Sequence, residues 1–326
     1  MLRVVGIRGR NMKKVVVFGG GTGLSCLLSG LKMFPMDVTT VITVSDNGSS
    51  TGVLKAELNI PAVGDVGKVL ISMANGDKDL IKLMGYRFKK GGTLHNHPVR
   101  NIILAALIDI KGSLTEATAY MCKLLNVKGT ILPLTEEKVE LVGESIHGAY
   151  FGEEEVSQNI KYIQKVTYDH DIKICKEIHQ RIIDADLIIF SPGSLYTSII
   201  PHLIAPEVRS ALEQTKAPIM YVSNLVTQPG ETDGYHVSDH VGVLNRYLGE
   251  RKVDIVLANS APIDERIVEI YKNTENKTIV EIDYENVEPQ EAEIIASRLF
   301  CIENDSIRHD ALKTAYKIFS YLMDRD

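Results

Sequence analysis

Val15-Val16-Val17-Phe18 runs straight into Gly19-Gly20-Gly21-Thr22-Gly23, and Leu24, Leu27, Leu28 and Leu31 follow at helical spacing. A short run of β-branched and aromatic residues marks a strand buried on both faces. Apolar residues recurring every three or four positions mark one face of a helix. With residues 38–44 as the next strand, this spells a right-handed βαβ unit on a parallel sheet. Glycines let the backbone turn tightly and leave free the space that a Cβ would take from an anion. The helix behind them aims unpaired N–H groups and its positive dipole end at the same place. The turn is not the dinucleotide fingerprint, because Leu24 stands where the third glycine belongs. No Gly-Lys-Ser/Thr follows, so it is not a Walker loop either; the competing reading is a tight turn without ligand.

The α/β rhythm continues. Helices are expected at 66–74, 99–110, 114–125, 174–184, 207–214 and 238–247, and strands at 187–190, 219–222 and 253–257. Residues 129–168 read differently, with strand-like pieces at 130–134, 138–142 and 162–166 around Glu153, Glu154 and Glu155. They predict an insertion, partly antiparallel. A last strand at 298–301 and a last helix at 310–323 close the pattern. Residues 12–326 are thus expected to form one doubly wound domain. The leader 1–11 carries Arg3, Arg8 and Arg10 without an apolar stretch, so it reads as an upstream start or a short disordered tail rather than a signal peptide.

Composition narrows the function classes. A net charge of −6 over 326 residues gives no electrostatic reason for general nucleic-acid or anionic-membrane binding. No apolar run reaches the length of a membrane span. Cys26, Cys122, Cys175 and Cys301 are scattered without a CxxC pair, which fits a reducing, cytoplasmic setting.

Further loops carry polar chemistry. Ser45-Asp46-Asn47-Gly48-Ser49-Ser50-Thr51-Gly52 follows the second strand. At the carboxyl edge of a parallel sheet, Asp46 suits a ribose hydroxyl or magnesium, and Ser49 and Ser50 can donate to phosphate. Ser191-Pro192-Gly193-Ser194 follows the strand at 187–190, and Asn224-Leu225-Val226-Thr227 follows the one at 219–222. Four strand ends rich in Gly, Ser, Thr, Asn and Asp imply one polar crevice. His95 and His97 have the spacing of a metal pair on a strand, but no further Cys or His gathers near them. His97 or Asn101 as a ligand contact is the better reading.

VVVFGGGTGLS at 15–25, VSDNGSSTGVLKAEL at 44–58, SPGSLYTSIIPHL at 191–203 and NLVTQPGETDGYHVSDHV at 224–241 resemble the gluconeogenesis-factor family. That family lies within a CofD-like superfamily whose other branch is 2-phospho-L-lactate transferase. The resemblance implies an α/β, Rossmann-like three-layer sandwich with a mostly parallel sheet. It implies a UDP-sugar ligand, chiefly UDP-N-acetylglucosamine, and a regulatory role in morphogenesis and growth on gluconeogenic carbon sources. In the transferase branch it implies magnesium-dependent transfer. Gly20, Gly21, Thr22 and Gly23 match the family's phosphate turn, and Asp46 its first acidic residue, implied to hold metal in the transferases. Ser191, Gly193, Ser194 and Thr197 match its second loop, and Asn224, Thr227 and Glu231 its third. Asn101 matches a motif asparagine and Arg308 a carboxy-terminal arginine implied in ligand binding.

The chain departs from the pattern at Asn47, at Gly67-Lys68 and at Asn96–Asn101, all toward the substrate end. Two functions therefore stand side by side, a UDP-sugar-binding regulator and a transferase. A nicotinamide dehydrogenase is a third reading, but this turn lacks the third glycine of its fingerprint, and Asp46 would have to hold the ribose. Arg308 has two readings, a contact to bound diphosphate or a structural partner of Asp310. A homo-oligomer is left open.

Overall fold

The computed structural model describes residues 12–90, 92–160, 163–303 and 305–325. The expected leader, 1–11, lies outside them. Strands β1 (Lys13–Gly19), β2 (Met36–Ile42), β3 (Thr130–Pro133), β4 (Leu141–Ser145), β5 (Gly148–Phe151) and β6 (Lys165–Tyr168) come first in the chain. They are followed by β7 (Leu187–Phe190), β8 (Ile219–Val222), β9 (Ile255–Asn259), β10 (Glu293–Ser297), β11 (Phe300–Glu303) and β12 (Ser306–His309). Seven of them form one sheet in the order β10-β9-β8-β7-β1-β2-β3, and every pairing in it is parallel.

Helices flank this sheet, as they must when both faces of β7 and β8 are buried at every residue. Between β1 and β3 run α1 (Gly21–Leu31), α2 (Ser49–Leu58), α3 (Gly64–Met73), α4 (Lys78–Gly85), α5 (Val99–Lys111) and α6 (Leu114–Leu124). After α7 (Glu153–Gln158) come α8 (Lys176–Ile183), α9 (Ile200–Leu203), α10 (Pro206–Gln214) and α11 (Val237–Leu248). The chain ends with α12 (Glu265–Glu275), α13 (Tyr284–Val287) and α14 (Ala311–Met323). Helix α1 packs on α3 and α14, and α8 packs on α10. Among the described residues no helix is long and apolar enough to cross a membrane.

From β1 the chain builds outward through β2 and β3 on one side, then through β7 to β10 on the other. The strand order thus reverses between β1 and β7. In an open parallel sheet the crevice at such a reversal, beyond the carboxyl ends of the strands, is where ligands bind. The glycine turn leaves β1 and the Ser191 loop leaves β7, one on each side of it. Phe18 and Phe190 sit side by side beneath, ring centroids 5.8 Å apart. His202 in α9 is fully buried and holds the Val41 carbonyl of β2 at 3.1 Å and the Ile199 carbonyl at 3.2 Å.

Three sequence expectations shift. Thr130–Pro133, read with the insertion, is the edge strand of the parallel sheet; Ile131 and Leu132 are buried as β3 extends the register from β2. The antiparallel piece is the three-stranded sheet β5-β4-β6, from Leu141 to Tyr168. Here β4 and β6 each begin about three residues later than expected, and β5, not expected as a strand, is a short edge strand whose Tyr150 is half-buried and whose Phe151 is exposed. Tyr162, expected to open a strand, lies outside the described residues. Near the carboxy terminus the strand expected at 298–301 is displaced: β10 completes the main sheet, and β11 and β12 form a separate antiparallel hairpin.

Candidate nucleotide site

Gly21 has φ of +68°, a left-handed conformation that L side chains rarely adopt, so glycine is needed there for the turn itself. Gly23 is needed for proximity: a Cβ on it would lie 2.2 Å from the Pro192 carbonyl oxygen. The β1 turn and the β7 loop therefore touch backbone to backbone. Between them and the β8 loop opens a cavity of about 520 Å³. Gly20–Gly23, Gly193, Ser194, Asn224 and Thr227 line it, with Leu225, Val226 and Ile307 as an apolar wall.

Arg308 lines the same cavity. It is brought there by the β11–β12 hairpin, because α14 packs on α1 so closely that a Cβ on Gly30 would meet the Ala311 carbonyl at 2.0 Å. The Cys26 thiol of α1 donates to the His309 carbonyl and ties the hairpin down as well. Asp310 does not hold Arg308. It caps α14 by accepting from the Lys313 N–H and pairs with the Lys313 ammonium at 2.9 Å. The Arg308 guanidinium has no hydrogen-bond or ion-pair partner among the described residues.

Several of the expected contacts also hold the cavity walls together. Asn224 clamps the β7 loop, its Oδ1 accepting from the Gly193 N–H and its Nδ2 donating to the Gly193 carbonyl. Thr227 is pinned to Thr278, each backbone N–H engaged with the other residue. Ser194 donates to the Glu231 carboxylate, which also accepts from Gln228 and the Tyr196 N–H. Thr197 hydrogen-bonds Ser194 behind the cavity wall. Burial pushes Glu231 up to about 7, opposed by the Ser194 hydrogen bond. Glu153 of α7 is likewise pushed to about 7 by burial and by Asp46.

The β2 loop opens onto a second cavity, of about 280 Å³, lined by Asp46, Ser49, Ser50, Lys68, Arg87, Arg100 and Asn101. Ser49 and Ser50 start α2 instead of lying in a turn, and no side chain caps that end. His97 and Asn101 both hold the Ser50 hydroxyl, at 2.8 and 3.4 Å, so His97 ties the segment leading into α5 to α2. Asn47 faces away, its Oδ1 accepting from the Glu154 N–H and fixing α7 to the β2 loop. Between the two cavities stands Asp65, a residue without a sequence signal of its own beyond an acid in the first turn of α3. Its Oδ2 accepts from the Gly21 N–H at 2.8 Å and its Oδ1 from the Lys68 ammonium at 2.7 Å.

A family profile described as 2-phospho-L-lactate transferase CofD matches residues 15–300. A Thermotoga maritima protein is 42% identical over 311 residues, 93% of this chain and 97% of that one. The gluconeogenesis factor of Bacillus subtilis is 39% identical over 313 residues, 95% of this chain and 97% of that one. The chain belongs to the gluconeogenesis-factor family of CofD-like proteins. The crystal structure of a Bacillus halodurans protein superposes with a TM-score of 0.92 at 37% identity, over 95% of this chain and all of that one.

For a gluconeogenesis-factor homologue, the ligand residues expected from sequence divide into three groups. Gly20–Gly23, Gly193, Ser194, Asn224, Thr227 and Arg308 share the first cavity; Asp46, Ser49, Ser50 and Asn101 share the second. Ser191, Thr197 and Glu231 are buried supports. Lys277 in the first cavity and Arg87 in the second carried no motif to reveal them, whereas Lys68 and Arg100 lie in segments noted only as departures from the family pattern. For magnesium at Asp46, implied by the transferase branch, the second cavity supplies one lining carboxylate. Asp46 accepts from the Gly48 N–H at 2.9 Å and Asp65 spends both oxygens on Gly21 and Lys68. Among the described residues no three acidic, His or Cys side chains converge as metal ligands.

Proposed function

We propose that this gluconeogenesis-factor homologue binds a nucleoside-diphosphate sugar, a UDP-sugar such as UDP-N-acetylglucosamine, in the first cavity, and acts as a cytoplasmic regulator without turnover. The regulatory outputs proposed with it are cell morphogenesis and growth on gluconeogenic carbon sources, a reading that the likeness to gluconeogenesis factors supports. One observation carries the binding assignment: the amino end of α1 and the unpartnered Arg308 guanidinium face one cavity from opposite ends of the chain. Helix N–H groups and a guanidinium fork are both suited to phosphate oxygens, and a diphosphate offers enough of them for both. Leu225, Val226 and Ile307 supply the apolar surface a base requires.

The same geometry disfavours NAD. A dinucleotide site places an acid at the end of the second strand to hold the ribose. Here Asp46 lines the other cavity and is engaged by Gly48. Calorimetric titration of UDP-N-acetylglucosamine, UDP-glucose, GDP and NAD tests the reading, with the UDP-sugars expected to bind tightest. Tighter binding of NAD than of either UDP-sugar sinks it, and release of UDP on incubation sinks the absence of turnover.

A further inference from the structure

We propose that the second cavity is an anion site of its own, built to take the phosphate of a small phosphorylated polyol or sugar while the first cavity holds its separate ligand. Arg100 carries the argument. It is only 8% exposed, yet its guanidinium has no hydrogen bond or ion pair among the described residues, and its buried Nε is unpartnered. A buried guanidinium without an anion is costly, because its hydration is lost and nothing replaces it. Burial and the neighbouring Arg87 both press on it, lowering its pKa to about 10.

Arg100 is not alone. Arg87 and Lys68 line the same cavity, and the uncapped amino end of α2 adds Ser49 and Ser50. Arg87 spends one nitrogen on the Asn96 carbonyl, which fixes it at the rim. Lys68 is already paired with Asp65, so Arg87 and Arg100 are the cations that face the lining carboxylate of Asp46 with guanidinium nitrogens to spare. Guanidinium forks with a helix amino terminus match the geometry of a phosphate monoester. Asp46 lines the same cavity and can accept from a hydroxyl on the same ligand. A cavity of about 280 Å³ limits that ligand to a small metabolite.

Asp65 makes the two sites interdependent. It draws on the Gly21 N–H at one and the Lys68 ammonium at the other, so an anion in either competes for a group that Asp65 holds. The assignment does not rest on the identity of the ligand in the first cavity.

The probes are inorganic phosphate and glycerol 3-phosphate, titrated into the full chain at constant ionic strength and followed by ³¹P line width and thermal midpoint. Both are expected to saturate. Lys68→Met and Arg100→Gln should each weaken the apparent affinity at least tenfold, while Arg308→Ala leaves it within twofold. Arg87 is exposed, so Arg87→Ser carries the same expectation as Arg100→Gln if the buried substitution fails to fold. A response that never saturates overturns the proposal. So does one that Arg308→Ala abolishes and Arg87→Ser and Lys68→Met preserve, because the anion then binds at the glycine turn.

Discussion

Arg308 shows how little a sequence position says about a residue's partner until the packing around it is known. It precedes a helix whose amino end repels a cation, and Asp310 two residues on was the obvious local counter-ion. Instead Asp310 turns inward to cap α14 and pairs with Lys313. Arg308 is then left exposed on β12, facing the glycine turn nearly three hundred residues earlier. Its removal should leave the fold intact, since its side chain makes no hydrogen bond or ion pair among the described residues. Arg308→Ala is expected to weaken UDP-N-acetylglucosamine binding by roughly 1.5–3 kcal/mol, the range for hydrogen bonds to charged groups. Calorimetry reads the affinity and a thermal melt of the apo protein reads the fold. A lowered midpoint with unchanged affinity would assign Arg308 to the last helix instead. Thr22 is exposed at the same turn, and Thr22→Ala should likewise reduce affinity without moving the melt.

At the scale of elements, the site exists because adjacent strand ends are held at fixed separation. The glycine turn and the β7 loop meet at Gly23 and Pro192, and Asn224 from β8 clamps the β7 loop at Gly193. Gly23→Ala would drive a methyl carbon into the Pro192 carbonyl, and backbone cannot yield as a side-chain tip does. Overpacking of this kind costs about 1–3 kcal/mol. Gly23→Ala should therefore lower the apo melting midpoint and weaken nucleotide binding together, unlike Arg308→Ala; an unshifted midpoint would show that the two loops move apart freely. These elements were the legible part of the chain. Strands such as Leu187–Phe190 are buried on both faces and announce themselves as unbroken apolar runs. The amphipathic stripe of α1, at Leu24, Leu27, Leu28 and Leu31, is equally plain. The illegible elements are those whose pattern is set by distant partners. Helix α2 opens on Gly48-Ser49-Ser50 and reads as a turn, yet His97 and Asn101 of a later segment hold it. Strand β3 looks like its neighbours in sequence until its pairing with β2 separates it from them. Asp65, Lys68 and Arg100 went unread as site residues for the same reason: helical periodicity places them, but only tertiary packing shows which cavity they face.

Taken whole, the molecule buries titratable groups whose effects on stability run in opposite directions with pH. His202 is fully buried among backbone carbonyls, and burial lowers it to about 4 from 6.5. Its neutral form favours the fold above pH 6.5, and that contribution is lost as pH falls toward 4. Glu231 is only 4% exposed, and burial raises it to about 7 from 4.5. A raised carboxyl contributes stability that is fully present below pH 4.5 and is lost as pH rises through 7. At pH 8 the ionised Glu231 therefore costs stability, even though Ser194, Gln228 and the Tyr196 N–H donate to it. Glu231→Gln removes that charge and keeps an oxygen to accept from Ser194, while Gln228 can turn its amide to suit the new NH₂. The variant is expected to be more stable than the parent at pH 8 by on the order of 1–3 kcal/mol, with the advantage gone by pH 5. For a chain of this size that is a rise of about 1.5–4.5 °C in melting midpoint at pH 8. His202 is common to both proteins, so its loss of stability on acidification cancels in the difference. Paired melts from pH 5 to pH 8 decide the point. A variant that melts below the parent at pH 8 and level with it at pH 5 would mean that the donors around Glu231 hold the ionised carboxylate, and that the charge stabilises the loops it joins.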